Sequence, residues 1–320
     1  MMTSDDEWTT VQRSTRKKGW RTQNANKIKK SMNIQKALMA NDSNAASKER
    51  ETQMEEVHYS IEECMKAFQM ENDGFYTNML QQFLNIVFPN NTDELYDLFI
   101  NPSKVNKYPN KTFDLDYEIV CYGIGNFENR NSPSMLQLAC ILLLQRQLST
   151  LTNVKLYYYE PLMTSVEQII LETKYSNVFI IPQNERGKRT VSKPTLFYMP
   201  HCPMRLYNNV LWSNWDFIFS KSEWILFFGN SFHSYFDRII PKDCTNGMIS
   251  LLPYCKEIHC YDKKKKKHSW HDRYKNTNEI LWNMEKAFND CLFVYFDTSD
   301  IHNNIPERPM EHIGKESEIF

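Results

Sequence analysis

From residue 51 onward the chain moves between two hydrophobic spacings. Met54, Val57, Ile61, Cys64, Met65 and Phe68 recur three and four residues apart, the spacing of one helical face. Asn72, Asp73 and Gly74 break that run, and Met79, Leu80, Phe83, Leu84 and Val87 form a second, which stops at Pro89. The pair predicts a helical hairpin whose apolar face must be buried, most simply against the domain that follows. Residues 101–111 (NPSKVNKYPNK) read as a linker. After them, short apolar runs alternate with helical ones. Strands are expected over 117–122, 154–159, 177–181, 195–199, 224–228 and 291–296, and helices over 133–148, 164–173, 204–212, 232–239 and 278–289. Apolar strands separated by helices predict an α/β fold, a Rossmann-like doubly wound and mostly parallel sheet. The expected division is a disordered basic arm over 1–50, a helical hairpin and linker over 51–110, the Rossmann-like domain over 111–300, and a polar C-terminal tail over 301–320.

Composition sharpens this picture in three places. Hydrophobic residues make up 41% of the 320, enough for a packed core, with 17 Tyr and 19 Phe supplying much of the apolar area. The net charge is only −1, but residues 1–50 hold eleven Lys and Arg against five Asp and Glu, so a basic arm precedes a mildly acidic body. Such an arm is either a solvated tail or a contact for nucleic acid, an anionic surface or an acidic partner. The opening MMTSDDEW is unlike a signal peptide, and the longest apolar run, 138–144 (LACILLL), is too short to span a bilayer. That pattern predicts no membrane insertion and reduced thiols for the eight Cys.

In an open parallel sheet, ligands bind beyond the carboxyl ends of the strands. The residues there are Gly123, Gly125 and Asn126 after the first strand, Glu160 after the second, His201 and Cys202 after the fourth, and Asn230 and Ser231 after the fifth. GIGNFEN carries two of the three glycines of a dinucleotide fingerprint, and Glu160 stands where an acid would meet a ribose hydroxyl. Its distance from Gly123 is long for that fingerprint and fits a longer first helix, of the kind methyltransferases have. The alternative is that the glycines only form a tight strand-to-helix turn. The expected site is therefore a polar pocket lined by Gly123, Gly125, Asn126, Glu160, His201, Asn230 and Ser231, with at most one ready anion. No cofactor is specified by these residues.

His201 and Cys202 are adjacent, so they do not make a catalytic dyad as they stand. Cys202-Pro203 beside a His is a weak candidate haem ligand. Cys255, His259 and Cys260 form a C-x3-H-C group that lacks a fourth ligand and a recognised finger spacing, so no metal site is expected. Lys263–Lys267 is either an import or nucleic-acid patch or a solvated loop. The chain contains no G-x-x-x-x-G-K-[ST], G-x-S-x-G or H-E-x-x-H.

The same segments carry a family likeness. Residues 121–127 (CYGIGNF), 195–202 (TLFYMPHC), 206–215 (LYNNVLWSNW) and 228–232 (FGNSF) resemble the successive signatures of the sensitivity-to-red-light-reduced family, with 159–172 and 184–189 between them. The likeness runs from about Tyr117 to Asp297, and DDEWTTVQRSTRKK resembles the opening of some animal members. Two places depart from the family pattern: Phe288-Asn289-Asp290 runs into Cys291-Leu292-Phe293-Val294 rather than Ser and His, and Pro203 is unexpected. The resemblance implies a regulator connected with circadian-clock input. In animals it also implies influence on haem biosynthesis and clock-gene expression. It implies residence in the cytoplasm and also the nucleus. It supplies no catalytic residues. The reading taken first is a non-enzymatic regulator that acts through protein partners, which the basic arm and the Lys263–Lys267 run fit. The alternative is an enzyme or sensor that binds a nucleotide or S-adenosylmethionine in the strand-end pocket.

Overall fold

The computed structural model describes residues 44–70, 74–100, 116–238, 246–260, 283–298 and 306–309. The chain divides into two compact units, Met1–Glu49 and Arg50–Phe320, and the architecture below is that of the second. The basic arm before residue 44, the linker at 101–111 and the Lys263–Lys267 run lie outside the described residues.

Three helices, α1 (Asn44–Met70), α2 (Phe75–Val87) and α3 (Thr92–Ile100), precede the sheet. Then follow β1 (Tyr117–Tyr122), α4 (Pro133–Leu148), β2 (Val154–Tyr159), α5 (Ser165–Lys174), β3 (Val178–Ile180) and β4 (Thr195–Met199). The rest comprises α6 (Met204–Ser213), α7 (Trp215–Ser220), β5 (Ile225–Asn230), α8 (Phe232–Arg238), α9 (Asn246–Leu251), β6 (Cys255–His259), α10 (Met284–Phe288) and β7 (Cys291–Phe296). Among the described residues no helix is long and apolar enough to cross a membrane.

The seven strands form one sheet in the order β3-β2-β1-β4-β5-β7-β6. The first five pair in parallel, whereas β7 runs antiparallel to both β5 and β6. Strand alternation splits the core into two layers. Ile119, Cys121, Leu156, Tyr158, Leu196, Tyr198, Leu226, Phe228 and Phe293 face the first, with α1 to α5 and α10. Val120, Tyr122, Phe197, Met199, Ile225, Phe227, Leu292 and Val294 face the second, with α6 to α9. Helices therefore cover both faces of a mostly parallel α/β sheet.

Aromatic ladders tie the layers together. Register places Phe197 opposite Phe227 and Tyr198 opposite Phe228. The first pair stacks at 5.4 Å and the second at 5.2 Å, so each face of β4 and β5 carries its own stacked pair. The helical hairpin buries its apolar face on the first layer, as its spacing demands: Phe83 meets Tyr117 and Phe293, and Phe75 stacks on Phe288 at 4.2 Å. Strand β2 is less covered on its second face. Lys155, Tyr157 and Tyr159 are only half-buried, and the two tyrosines pack against the edge of the second layer, to which Ile181 and Val191 of the loop after β3 belong. In that loop Arg189 lies 4.2 Å above the Tyr157 ring.

Candidate functional site

Because β1, β2, β4 and β5 are parallel, the loops that follow them share one edge, with the strand order diverging between β1 and β4. The β1 loop turns on Gly123 (φ +66°) and Gly125 (φ +90°), conformations that a side chain resists. Gly123 also leaves room for its neighbour, since a Cβ there would stand 2.9 Å from the Cys202 sulfur. Helix α4 starts directly after the loop, with Ser132 capping the Met135 N–H at 3.1 Å and Pro133 in the first turn.

Carboxylates close this loop. Glu160 is 7% exposed and accepts from the backbone N–H of Gly125 at 2.7 Å and of Leu162 at 2.9 Å. Glu167, fully buried, accepts from the N–H groups of Phe127 and Thr164 and completes a capping box for α5. The Glu167 carboxyl stands at about 7, because burial and then the Glu128 and Glu160 charges raise it by more than the Thr164 and Phe127 N–H groups lower it. Glu128 in turn accepts from the Thr164 hydroxyl and, at 2.9 Å, from Gln53. The edge thus carries three neighbouring carboxylates rather than one, and the glycine loop offers two of its N–H groups to acids of its own chain. Asn126 is used locally, accepting from the Glu128 N–H at 3.2 Å. Beneath the loop, the buried Tyr158 hydroxyl has no hydrogen-bond partner.

A second network joins the ends of β4 and β5. His201 takes a left-handed backbone (φ +57°) and is exposed, with its N–H bonded to the Asn230 side-chain oxygen at 2.8 Å and Nε2 3.1 Å from the Ala287 carbonyl. The Asn230 amide donates to the Tyr235 hydroxyl at 2.9 Å, and that hydroxyl donates to the Cys202 carbonyl at 2.6 Å. Tyr207 spans β4 and β5: its hydroxyl accepts from the Asn230 N–H at 3.0 Å and donates to the Met199 carbonyl. That approach requires Gly229, where a Cβ would lie 2.1 Å from the tyrosine oxygen.

Ser231 faces away from the other candidates. It caps α8 by accepting from the Ser234 N–H, and it donates to Glu257 at 2.9 Å. Glu257 also accepts from the N–H groups of Phe232 and His233. Cys255 lies near Glu257 and His233, with their donor atoms all within 4.8 Å. Helix capping accounts for Glu257, and burial pushes the Cys255 thiol up to about 12, so the trio needs no ion to explain it. The C-x3-H-C group does not converge, because Cys255 packs into the second core layer and Cys260 into the first.

Of the residues predicted from sequence, the fold brings Gly125 to Glu160, Gly123 to Cys202, and His201 to Asn230. Cys202 is buried, with its thiol on the Tyr122 carbonyl at 3.2 Å. Burial and then the Glu160 charge push that thiol up. As a haem ligand it would first have to be uncovered. Sequence reasoning missed Glu128 and Glu167. The Thr164-x-x-Glu167 capping box was the available signal for Glu167, although its bond to Phe127 joins residues far apart in the chain.

The SRR1 domain family model matches residues 79–295, which take in the sheet up to the last residue of β7 and the strand-end edge. The chain therefore belongs to the SRR1 domain family. A mouse SRR1-like protein is 37% identical over 124 residues, 38% of this chain and 47% of its own length. The Arabidopsis thaliana protein SENSITIVITY TO RED LIGHT REDUCED 1 is 34% identical over 122 residues, 38% of this chain and 42% of its own. A Drosophila melanogaster SRR1-like protein is 27% identical over 139 residues, 43% of this chain and 47% of its own. The match thus spans about half the length of these curated relatives. No solved structure matches.

Proposed function

We propose that this chain is a regulatory protein in light and circadian-clock input that works through protein partners and catalyses no reaction. The observation that carries this reading is the family match over residues 79–295, together with the plant relative whose name records reduced sensitivity to red light. Influence on clock-gene expression and haem biosynthesis, and residence in cytoplasm and nucleus, belong to the same proposal. The strand-end edge supports it: the candidate polar groups are engaged with one another, and the Cys202 thiol is held protonated. The test is a clock reporter in cells stripped of their own copy, complemented with wild type, Glu160→Gln or His201→Asn. Restoration of rhythm by all three is the expected outcome, with Glu160→Gln melting lower because it gives up one of the two acceptors for the Gly125 and Leu162 N–H groups. Loss of rhythm by a variant that melts normally would overturn the reading and favour a binding site.

A second reading, a sensor or enzyme that binds S-adenosylmethionine, is favoured by the strand order. The run β3-β2-β1-β4-β5 is compatible with a doubly wound sheet, a class that binds ligands at a divergence such as that between β1 and β4. The long spacing from Gly123 to Glu160 is in keeping with the longer first helix of methyltransferases. Electrostatics choose between the two ligand classes. Glu128 and Glu160 repel a pyrophosphate, whereas they suit a sulfonium cation whose ribose hydroxyls can donate to Glu160. Fold alone does not establish such an activity. Isothermal titration with S-adenosylmethionine and with NAD tests it: binding of the first only, lost in Glu160→Gln, is the expected result, and no heat with either would dismiss it.

A further inference from the structure

Residues 306–309, Pro-Glu-Arg-Pro, lie across the junction of α6 and α7. Two indoles hold them. The Trp215 Nε1–H donates to the Pro306 carbonyl at 3.0 Å, and the Trp212 Nε1–H donates to the Pro309 carbonyl at 3.0 Å. The two tryptophans are three residues apart, as are the two prolines, and the pairing runs antiparallel. Between the prolines, Arg308 forms an ion pair with Asp216, and its guanidinium lies 5.4 Å from the centre of the Trp212 ring. Trp215 is almost fully buried, packed into the second core layer on one side and covered by the Pro306 segment on the other.

The chemistry is that of proline-rich peptide recognition. Proline arrives with its φ already set and its carbonyl unused, so little ordering is lost when an aromatic surface takes it. Aromatic-lined grooves with indole donors select such segments by the spacing of the prolines. The occupant here is lightly held. It forms no helix or strand, both prolines are only half-buried, and Glu307 and Arg308 are exposed. Its ion pair sits at the surface, where such pairs contribute little.

We propose that the Trp212–Trp215 face is a recognition groove for proline-x-arginine-proline segments of partner proteins, and that Pro306–Pro309 is a built-in occupant that such a partner displaces. The proposal names a partner chemistry for the regulatory reading, but it stands on this groove alone and does not depend on the clock role.

The test uses the full chain and a fluorescent synthetic peptide of residues 304–311, followed by anisotropy. Arg308→Glu in the chain weakens the internal segment, so the peptide is expected to bind this variant more tightly than wild type, by about fivefold on the scale of one surface ion pair and cation–π contact. Trp212→Phe added to that variant removes one indole donor and is expected to weaken the peptide by a similar factor. The deciding arm is charge exchange in a chain whose residues 306–309 are replaced by Gly-Ser-Gly-Ser, so that no internal segment competes: a peptide carrying Arg308→Glu binds that chain poorly and regains affinity when Asp216→Arg is added. A groove with only a structural role gives no trans binding to any chain. That result, or failure of the charge exchange to restore binding, overturns the proposal. All chains are first matched by circular-dichroism melting. If Arg308→Glu fails to fold, a chain with residues 306–309 replaced by Gly-Ser-Gly-Ser serves in its place.

Discussion

Glu167→Gln isolates the buried carboxylate that holds the β1 loop. In the folded chain this group sits at about 7, raised from 4.5 first by burial and then by the charges of Glu128 and Glu160. Between those two values the folded state binds more protons than the unfolded state, so stability falls as pH rises. The contribution is fully present below about 4.5 and is lost as pH passes about 7. The rise corresponds to about 3 kcal/mol, with a steepest slope of about 1.4 kcal/mol per pH unit. Glutamine keeps the shape and does not titrate. It also gives up one acceptor for the Phe127 and Thr164 N–H groups, a loss of about 1–3 kcal/mol that does not vary with pH. The diagnostic quantity is therefore the slope of the difference between wild type and variant, not its value at one pH. Urea unfolding at half-unit steps from pH 4.5 to 8, followed by far-ultraviolet circular dichroism and tryptophan fluorescence together, measures it. Wild type is expected to lose about 3 kcal/mol relative to Glu167→Gln across that range. A flat difference, or one that grows in favour of wild type as pH rises, would refute the assignment of Glu167 as a buried, neutralised staple.

Other expectations follow from the same contacts. Phe227→Ala removes a fully buried ring that meets Phe197, Tyr207, Phe232 and Phe296, and should cost about 3–5 kcal/mol in chemical denaturation. Gly229→Ala drives a methyl into the Tyr207 hydroxyl and to 2.8 Å from the Met199 carbonyl, so Tyr207→Phe should restore only part of the lost melting temperature. Tyr158→Phe deletes a buried hydroxyl without a partner and should leave stability unchanged or raise it by about 1 kcal/mol, whereas a clear loss would point to a bound water. The seven described cysteines are all buried, so alkylation at pH 8 mapped by mass spectrometry should spare them until the protein unfolds.

Local patterns were legible where one element decides its own fate. The bounds of β1, β2, β4, β7 and α4 match the sequence expectation residue for residue, because each is a continuous apolar run with turn residues or a capped start beside it. Strand β6 (CKEIH) escaped notice because it lies at the sheet edge and alternates buried Cys255 with charged neighbours, so it read as a group of metal-type ligands instead. Helix α3 was also missed, although Thr92 before two acids is a start signal and Leu95, Leu98 and Phe99 fill its buried side. The strand order and the reversal of β7 depend on pairings between distant segments, and no local spacing encodes them. The site was legible by location, since apolar strands push polar residues to their ends. Its chemistry was not, because the partner of the Gly125 N–H lies 35 residues away and that of the Phe127 N–H 40 residues away.

Those two long-range bonds set the terms on which any ligand could enter the strand-end edge. A phosphate cradle needs free N–H groups, and here the two donors face ionisable acids of the same chain. A hydrogen bond to a charged group is worth about 1.5–3 kcal/mol and one to a neutral group about 0.5–1.5 kcal/mol, so freeing the Gly125 N–H from Glu160 and the Phe127 N–H from a neutral Glu167 costs roughly 2–4.5 kcal/mol before the ligand makes a contact. At about 1.4 kcal/mol per tenfold, that lowers affinity by at least about 25-fold for a ligand that only displaces the carboxyl groups. An anion is penalised again by the charges it approaches. A ligand that donates hydrogen bonds avoids both costs, because a hydroxyl pair can replace the Gly125 N–H at Glu160 while Glu167 keeps Phe127 in place. Under the second reading, a ligand at this edge is therefore expected to donate hydrogen bonds or carry positive charge rather than to be an acceptor-rich phosphate. A chain that acts through protein partners gains from the same closure, since the carboxylates hold the β1 and β2 loops rigid without any ligand and the surfaces presented to partners stay in register with the sheet.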